Sequence, residues 1–438
     1  MRTLLFSGRL PLATAALFFL AIGFAQGADQ AKRPPNFLLF LADDLSAKHT
    51  GCYGNETYQT PHIDALARQG MRFETCWATP ICSPTRAEIL TGRYDVRTGW
   101  KWLVQATFMC TAMPESMMLE KHHRTYPQML QAAGYRTLVT GKWMLQGTNQ
   151  HPMQQLAAMG FDEHCIWPIH SCYLPPEVGY QGPSTKFSRY WSPVLLSNGK
   201  LIEGTAEQYG PDLIAEQTID FIRRHRDEPF CIHYCEMLPH LPAPPTPHLT
   251  QPGKTRPGSL KGNIEYADAV LGRLVAALEE MGLRDNTIIL FTGDNGTPKY
   301  GKGSLQQEEG VRVPLVVSCP GMIPEGVATR QLVDFSDMMP TLLALAGAKV
   351  DPGYEHDGSS FAPLLRGEEF TGRPWIYGSN GMLRTDRWLL DGKGQLWDCG
   401  DRRDEKEYRD MTGSADPAAQ AAQKEFDTIL QELRTRKR

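Results

Sequence analysis

Runs of consecutive apolar residues that end at polar residues recur along the first two thirds of the chain. Residues 36–41 form one run, which stops at Asp43 and Asp44, and residues 287–292 form another, which stops before Asp294 and Asn295. Continuous apolar runs are typical of strands that are covered on both faces. The same pattern predicts further strands at residues 135–140 and 230–235.

Helical patterns alternate with these strands. Thr60 as N-cap, Pro61 in the first turn and Gly70 after the last turn predict a short helix, and further helices are predicted at 126–133 and 211–224. Apolar residues at spacings of three and four predict another helix, whose buried face comprises Ile264, Ala267, Leu271, Leu274 and Leu278. The alternation predicts an α/β domain over residues 34–350, with a large, mainly parallel sheet flanked by helices.

The pattern changes in two later segments. Residues 239–258 are rich in Pro and Gly, which predicts an extended loop. Beyond residue 351 the chain shows short strand signals at 375–377, 388–390 and 395–397, followed by a helix at 417–433. We therefore expect a smaller C-terminal α+β subdomain over residues 351–438.

Composition and charge restrict the class of protein. The 438 residues are 41% hydrophobic and 21% charged, which is ordinary for a globular protein. The net charge of -4 argues against nucleic acid as the main partner. Arg2 and Arg9 precede an apolar stretch that ends in small residues, which predicts a signal peptide over residues 1–27. We expect export to the periplasm or the medium, with no membrane span after signal removal.

Cysteines are permitted to form disulfides in an exported chain, but their spacing shows no zinc-type pairing. If one of the 10 cysteines has a chemical role, the number that remains for disulfides is odd. At least one further thiol is then free, and Cys231 and Cys235 in an apolar strand are expected to be buried.

The segment with the most specific sequence is residues 82–86, Cys-Ser-Pro-Thr-Arg, followed by Thr-Gly-Arg at 91–93. It resembles the sulfatase signature at every defining position. The resemblance implies an alkaline phosphatase-like fold, sulfate ester hydrolysis, and oxidation of Cys82 to formylglycine by a formylglycine-generating enzyme. Independently of the family, Pro84 suits the first turn of a helix, which places Cys82 at its N-terminus and Arg86 one turn further along.

The two polar strand ends predict a metal site. If the two strands are parallel neighbours, Asp43, Asp44, Asp294 and Asn295 meet at one edge of the sheet. Hard oxygen ligands of this kind select Ca²⁺ or Mg²⁺ rather than zinc. The sulfatase resemblance implies these four side chains as ligands of Ca²⁺, with Mg²⁺ as the alternative ion and the modified Cys82 as a fifth ligand.

Cationic side chains are needed to bind a sulfate group whose oxygens carry negative charge. The segments around Lys142, His240 and Lys302 occur in the same order as similar segments of sulfatases, and the resemblance implies that all three face the sulfate. His240 or Lys302 would also protonate the leaving alcohol oxygen. Arg86 would hold the hydrated aldehyde or the carboxylates of the metal site.

Met144 departs from the family pattern, because sulfatases usually carry His after this Gly-Lys-x segment. That His accepts a proton from the hydrated aldehyde so that sulfate is released, and a thioether has no comparable basicity. Three interpretations stay open: another base such as His151 or a water substitutes, turnover is slow, or the protein is a catalytically impaired carbohydrate-binding homologue.

Aromatic residues are frequent in a segment without periodicity, and they are Trp167, His170, Tyr173, Tyr180, Tyr190 and Trp191. Such side chains either bind sugar rings or pack the segment onto the core. Together with export, they favour a sulfated carbohydrate over a small aryl sulfate ester as substrate. The alternative enzyme class is a phosphodiester or phosphonate monoester hydrolase of the same superfamily.

Overall fold

A mixed sheet of ten strands forms the centre of the molecule. The computed structural model describes residues 33–101, 111–304, 308–404 and 406–436. The strands are, in chain order, β1 (Asn36–Asp43), β2 (Gly70–Phe73), β3 (Cys76–Trp77), β4 (Arg136–Lys142), β5 (Glu163–Trp167), β6 (Val194–Ser197), β7 (Lys200–Glu203), β8 (Phe230–Pro239), β9 (Thr246–Pro247), β10 (Thr255–Arg256), β11 (Thr287–Gly293), β12 (Arg312–Val313), β13 (Leu315–Ser318), β14 (Val327–Thr329), β15 (Val333–Asp334), β16 (Ile376–Tyr377), β17 (Leu383–Arg384), β18 (Trp388–Leu390), β19 (Leu396–Asp398) and β20 (Arg409–Asp410).

The central sheet has the strand order β14-β2-β13-β11-β1-β8-β4-β5-β6-β7. Strands β11, β1, β8, β4 and β5 are consecutive neighbours and all pair in parallel. Strands β13 and β6 run in the opposite direction to the other described strands of this sheet. The prediction of a large, mainly parallel sheet is therefore confirmed, and the two reversed strands lie on either side of its parallel centre.

Helices cover both faces of this sheet. They are α1 (Pro61–Arg68), α2 (Cys82–Thr91), α3 (Asp95–Thr98), α4 (Leu119–His122), α5 (Tyr126–Ala132), α6 (Pro152–Ala158), α7 (Gly210–Arg224), α8 (Leu260–Glu280), α9 (Met338–Ala346), α10 (Ala362–Leu365) and α11 (Pro417–Thr435). Phe37, Leu39 and Leu41 of β1 belong to the apolar cluster that includes α2, α5 and α9. Leu38 and Phe40 belong to the cluster with α1, α7 and α8. Each of these fully buried side chains stabilises the fold by roughly 1.5–3 kcal/mol.

The predicted C-terminal subdomain consists of an antiparallel sheet, in the order β16-β17-β18-β19-β20, and helix α11. Phe426 and Ile429 on α11 pack against Leu390 and Leu396 of the sheet. The predicted strand at residues 388–390 agrees with β18. The short strand signals and the helix predicted beyond residue 351 are thus confirmed as an antiparallel sheet with a C-terminal helix.

Several predicted details differ in the structure. Thr60 forms no capping hydrogen bond; its hydroxyl accepts from Gly51 N (2.8 Å) and donates to Asp64 (3.2 Å). Strands β4 and β8 extend to Lys142 and Pro239, so that they reach further than the predicted apolar runs. The loop at 239–258 contains the short pair β9 and β10. These strand extensions matter because they carry functional side chains to the edge of the sheet.

Free thiols are found at Cys52, Cys76, Cys165, Cys231, Cys235, Cys319 and Cys399, and Cys231 and Cys235 are buried as predicted. Cys110 and the predicted signal peptide at residues 1–27 lie outside the described residues. Among the helices in the described ranges, none combines the length and apolar character that crossing a bilayer requires.

Candidate active site

The carboxyl ends of four neighbouring parallel strands deliver the central residues of the site. Asp43 ends β1, Asp294 follows β11, Lys142 ends β4, and His240 follows β8. Because these strands are adjacent and parallel, their ends meet at one edge of the sheet. The structure therefore brings together the residues that the sequence placed at separate strand ends.

The two polar strand ends are joined by direct hydrogen bonds. Asp44 adopts a left-handed backbone conformation with φ 70°, which Asp tolerates better than most residues. Its backbone N–H donates to Asp294 Oδ1 at 2.9 Å, and Asn295 Nδ2 donates to Asp44 Oδ1 at 2.7 Å. These bonds fix the acidic side chains of β1 and β11 relative to each other.

Each carboxylate of the site contacts a cation. Lys142 Nζ lies 2.6 Å from Asp43 Oδ1, and Lys302 Nζ lies 2.7 Å from Asp44 Oδ2. Arg86 Nη2 lies 2.7 Å from Asp294 Oδ2, while its Nη1 donates to the Lys142 carbonyl at 2.6 Å. The site is therefore an interleaved set of buried acids and bases, which holds Arg86 against the carboxylates rather than in solvent.

Cys82 is the first residue of helix α2, as the position of Pro84 predicted. The Thr85 hydroxyl accepts from Thr79 N at 3.0 Å and thereby fixes the chain that enters this helix. Cys82 is 2% exposed, and its Sγ and carboxylate oxygens of Asp43 and Asp294 all lie within 4.8 Å of one another. A reactive group at this position would face both the helix N-terminus and the acidic cluster.

Burial and neighbouring charges shift the pKa values of the acids in different directions. Burial alone would raise the pKa of Asp43, but Lys142, His240 and Arg86 together lower it well below its usual range. Burial and the charge of Asp43 raise the pKa of Asp44 to about 7 and also raise the pKa of Asp294. The ionised forms of Asp44 and Asp294 thus lack sufficient positive charge nearby.

The chemistry of this cluster fits a divalent cation. Asp43 Oδ2 and Asn295 Oδ1 are buried and accept no hydrogen bond from any residue in the described ranges. Unpaired buried oxygens are costly unless a ligand compensates them. Carboxylate and amide oxygens match the preference of Ca²⁺ and Mg²⁺. A dication between them would offset both the burial and the repulsion by Asp43 that raise the pKa values of Asp44 and Asp294.

A cavity of about 250 Å³ opens onto Cys82. Its polar lining comprises Cys82, Lys142, Lys186, Arg189, His240 and Lys302, and its apolar lining comprises Ile81, Met144, Trp167, Ile169 and Leu241. Burial lowers the pKa of His240 to about 3, with Lys142 and Arg189 acting in the same direction. His240 is therefore a neutral imidazole at neutral pH in the ion-free site, among several permanent cations.

Arg189 is a cavity residue that the sequence analysis missed. Its Nη2 lies 2.8 Å from His240 Nδ1 and donates to the Leu241 carbonyl at 3.1 Å. The guanidinium carbon lies 5.0 Å from the centroid of the Trp167 ring and 4.9 Å from that of Tyr190. Two aromatic residues directly after an arginine, as at residues 189–191, are a weak sequence signal for such a cation–π arrangement.

Of the six aromatic residues singled out in the sequence, Trp167 lines the cavity. Tyr190 donates to the carbonyls of Met237 and His240, both at 2.9 Å, and Trp191 Nε1 donates to the Pro245 carbonyl at 2.8 Å. Tyr190 and Trp191 thus fasten their segment to the loop after β8. These hydrogen bonds agree with the interpretation that Tyr190 and Trp191 pack their segment onto the core.

Met144 lines the cavity with a left-handed backbone, at φ 62°. His151, the predicted substitute base, instead contacts Glu177 and caps α6, and it does not line the cavity as far as the described residues show. Within the same limit, His240 is the one imidazole in the cavity lining. The structure thus places no second histidine where the family pattern would have one.

Comparison with known proteins identifies the family. The sequence model of the family described as "Sulfatase" matches residues 35–348. The chain belongs to the sulfatase family. Its curated relatives carry the names of arylsulfatases, N-acetylgalactosamine-6-sulfatases and steryl-sulfatases, and the chain is accordingly a sulfuric ester hydrolase.

Individual relatives of this sulfatase align over most of its length. Arylsulfatase D of Homo sapiens is 28% identical, over 83% of this chain and 74% of that protein. N-acetylgalactosamine-6-sulfatase of Rattus norvegicus is 30% identical, over 87% of this chain and 74% of that protein. The crystal structure of Ps i-CgsB in complex with k-i-k-neocarrahexaose superposes with a TM-score of 0.74 at 26% identity, covering 92% of this chain and 93% of that one.

Proposed function

We propose that this sulfatase hydrolyses sulfate esters of a carbohydrate through formylglycine made from Cys82, with a divalent cation, Ca²⁺ in preference to Mg²⁺, in the acidic cluster. The observation that carries the proposal is the position of Cys82. Its sulfur lies within 4.8 Å of carboxylate oxygens of Asp43 and Asp294, at a helix N-terminus and inside a cation-lined cavity. A buried structural cysteine would need none of these neighbours.

Asp43, Asp44, Asp294 and Asn295 would hold the cation, because their oxygens converge and two of these oxygens have no hydrogen-bond partner in the described ranges. The hydrated formylglycine would supply a hydroxyl nucleophile at position 82, and the divalent cation would polarise the sulfate oxygens. Arg86 orients Asp294 and favours its ionised form, since its guanidinium lies 2.7 Å from that carboxylate, and the bound cation would supply the further positive charge that this ionised form needs.

Lys142, Lys302 and His240 would bind the sulfate group, since all three line the cavity on which Cys82 opens. Lys142 and Lys302 are already positioned by Asp43 and Asp44, so little reorganisation is needed as charge develops on the sulfate oxygens. Lys302 would protonate the leaving alcohol oxygen, because its ammonium group lines the cavity. His240, which is neutral in the ion-free site, would stabilise the same oxygen by a hydrogen bond from its ring N–H.

A carbohydrate substrate is supported by the composition of the cavity and by the relatives. Trp167 offers an aromatic face beside Arg189, and the combination suits a sugar ring that carries polar substituents. Ps i-CgsB was solved with k-i-k-neocarrahexaose, and a relative is an N-acetylgalactosamine-6-sulfatase. Arylsulfatases and steryl-sulfatases are also among the relatives, so the cavity lining is what favours a sulfated sugar over a small aryl sulfate ester.

A second candidate function follows from Met144. With Met144 in the cavity lining and His240 as its one imidazole among the described residues, sulfate release would be slow. A protein that binds sulfated carbohydrate and turns it over poorly would show binding without comparable sulfate release. A phosphodiester or phosphonate monoester hydrolase is the remaining alternative, because the same cluster can polarise oxygens on phosphorus.

The decisive experiment combines mass spectrometry with product analysis. The protein is produced together with a formylglycine-generating enzyme. If residues 1–27 act as a signal peptide, we expect the protein to be exported. The mass of the peptide spanning residues 77–86 is then measured by mass spectrometry. We expect Cys82 to have lost its thiol in favour of an aldehyde. One preparation is then assayed on sulfate, phosphodiester and phosphonate esters, with Cys82→Ala as matched control.

Sulfate release by the converted protein, absent in Cys82→Ala, is the expected result. Faster hydrolysis of the phosphodiester or phosphonate esters would contradict the proposal and establish the phosphodiester or phosphonate monoester hydrolase instead. Tight binding of sulfated sugar with no sulfate release from fully converted protein would instead establish the impaired carbohydrate-binding homologue.

A further inference from the structure

A second cavity, of about 420 Å³, meets the catalytic cavity at Lys302, which lines both. Its lining comprises Lys299, Tyr300, Gly301, Lys302, Gly303, Ser304 and Lys393. Three of these residues are lysines and none is acidic. Lys302 is paired with Asp44, whereas Lys299 and Lys393 are exposed and have no side-chain partner among the described residues.

Lys299 lies in a turn that is fixed to the catalytic edge of the sheet. Thr297 accepts backbone hydrogen bonds from Tyr300 and Gly301, at 3.1 and 2.9 Å, and its own N–H donates to Ser46 Oγ at 2.8 Å. Gly301 is required, because a Cβ there would lie 1.7 Å from the Glu309 carbonyl. Lys299 itself has a left-handed backbone, φ 64°, which a lysine rarely adopts without a constraint. The turn therefore presents Lys299 from a defined backbone.

Lys393 lies in the tight turn between β18 and β19. Asp391 Oδ1 accepts from the backbone N–H of Lys393 at 2.9 Å and of Gln395 at 2.8 Å, and Asp391 Oδ2 accepts from Trp397 Nε1 at 3.4 Å. The Asp391 carboxylate is thus used to shape the turn and is 1% exposed. It does not neutralise Lys393, whose ammonium group stays available to a ligand.

We propose that this second cavity binds an additional anionic substituent of the substrate, a sulfate ester or a carboxylate on a neighbouring sugar. The inference rests on the proposed function and narrows its substrate class to polyanionic carbohydrate chains. The ammonium groups of Lys299 and Lys393 line one cavity without an acidic partner among the described residues, and an anion bound between them would be attracted by both. Because the cavities share Lys302, one chain can occupy both.

The test compares substrates that differ by one charge. Matched oligosaccharides carry one sulfate ester, two sulfate esters on neighbouring sugars, or one sulfate ester and one carboxylate. The measured quantity is the ratio of kcat/KM for each dianionic substrate to that for the monosulfated one. The variants are Lys393→Ala and Lys299→Asn, since asparagine tolerates the left-handed backbone. Lys424→Ala, an exposed lysine on α11, is the control.

We expect each variant to lower the ratio about threefold and the double variant to lower it about tenfold, mainly through KM. Lys393→Arg should restore the ratio, and salt of roughly 0.5 M should abolish the preference by screening exposed charges. Lys424→Ala should leave it unchanged. The two dianionic substrates show whether sulfate or carboxylate is the better occupant.

An unchanged ratio in both single variants, with sulfate release intact, would overturn the inference while leaving the proposed function standing. If no substrate is hydrolysed, the proposed function fails, and the subsite is tested by binding alone. Fluorescence anisotropy of a labelled disulfated oligosaccharide with Cys82→Ala protein then decides. Affinity that does not fall in the Lys299→Asn, Lys393→Ala background would reject the subsite.

Discussion

Two buried acidic clusters in this protein differ in how their oxygens are used. In the catalytic cluster, Asp43 Oδ2 and Asn295 Oδ1 are buried and accept no hydrogen bond from the part of the chain that the structure describes. In the second cluster, between the central and C-terminal sheets, Asp334 Oδ1 accepts from Ser336 N and lies 2.8 Å from Arg373 Nη1. Asp334 Oδ2 accepts from Tyr94 and from Tyr377 N.

The comparison teaches which property marks a functional site. Burial raises the pKa of Asp44 in the first cluster to about 7, and it does the same for Asp337 in the second. A raised pKa therefore does not separate the two. The difference lies in single oxygens beside a cavity. Both oxygens of Asp334 accept hydrogen bonds, although Arg373 Nε in the same cluster has no partner in the described ranges. Asp43 Oδ2 accepts none, and Asp43 contacts Lys142 of the catalytic cavity lining, so this oxygen has room for a ligand.

The same substitution in each cluster should have opposite consequences. Asp44→Asn should lower sulfate release roughly 1,000-fold, since it removes a ligand of the cation that polarises the sulfate. Asparagine suits the left-handed backbone at this position, so the fold should persist. Circular dichroism and steady-state kinetics on one preparation test this, and retained activity would remove Asp44 from the site.

Stability of the ion-free protein should not suffer from Asp44→Asn. The folded-state pKa of about 7 lies above the ordinary 3.8, so ionisation of Asp44 is less favourable in the folded state. The wild-type protein therefore loses stability as the pH rises through this range. The stability difference in favour of the variant should therefore grow from pH 5 to pH 8, measured by urea unfolding in a chelator. A variant that is less stable at pH 8 would contradict this electrostatic argument.

Asp334→Asn should instead destabilise the fold by about 2–4 kcal/mol, because it breaks a buried ion pair and leaves Arg373 less compensated. Urea unfolding measures the loss. Any remaining folded protein should have normal kcat/KM, since Asp334 does not line the catalytic cavity in the described residues. Lost activity at full stability would show that the two clusters are not separable.

Calcium should distinguish the clusters by linkage. At 100 times its Kd, Ca²⁺ should stabilise the wild-type protein by about 2.7 kcal/mol, provided that only the folded state binds it. Asp334→Asn should retain this increment and Asp44→Asn should lose most of it. Thermal unfolding with and without chelator gives the measurement, and an equal increment in both variants would place the ion elsewhere.

The catalytic cluster was largely predictable because it depends on local patterns. Apolar runs that end in Asp43-Asp44 and Asp294-Asn295 define buried strands and their last residues, and parallel pairing brings such ends together. The same holds for Cys82, whose place at a helix start follows from Pro84. Short-range sequence thus specifies both the elements and the ends at which chemistry collects.

Arg189 and the second cavity were not predictable in this way. Arg189 reaches His240 only because Tyr190 and Trp191 dock a non-periodic segment onto the loop after β8. Lys299 and Lys393 lie far apart in the sequence, and an exposed lysine does not contribute to the apolar periodicity from which helices and strands are predicted. Such residues meet through tertiary packing of loops, which no local pattern encodes.

Met144→His tests the catalytic cluster, and of these predictions it has the smallest expected effect. The substitution adds a basic imidazole to the cavity lining, and histidine tolerates the left-handed backbone at least as well as methionine. We expect sulfate release to accelerate about tenfold; a positioned base can contribute more, but another step would then limit the rate. Rapid-quench measurements of sulfate retained on the protein provide the readout.

The matched control is Met144→Gln, because glutamine is similar to histidine in size and polarity but has no basic nitrogen. If basicity is what the wild-type cavity lacks, glutamine should leave release slow, whereas histidine should shorten the time that sulfate stays on the protein. Ser83 Oγ, which donates to the Met144 carbonyl at 3.0 Å, keeps the backbone in place in both variants. No retained sulfate in the wild type and no gain with histidine would mean that another group already performs this proton transfer.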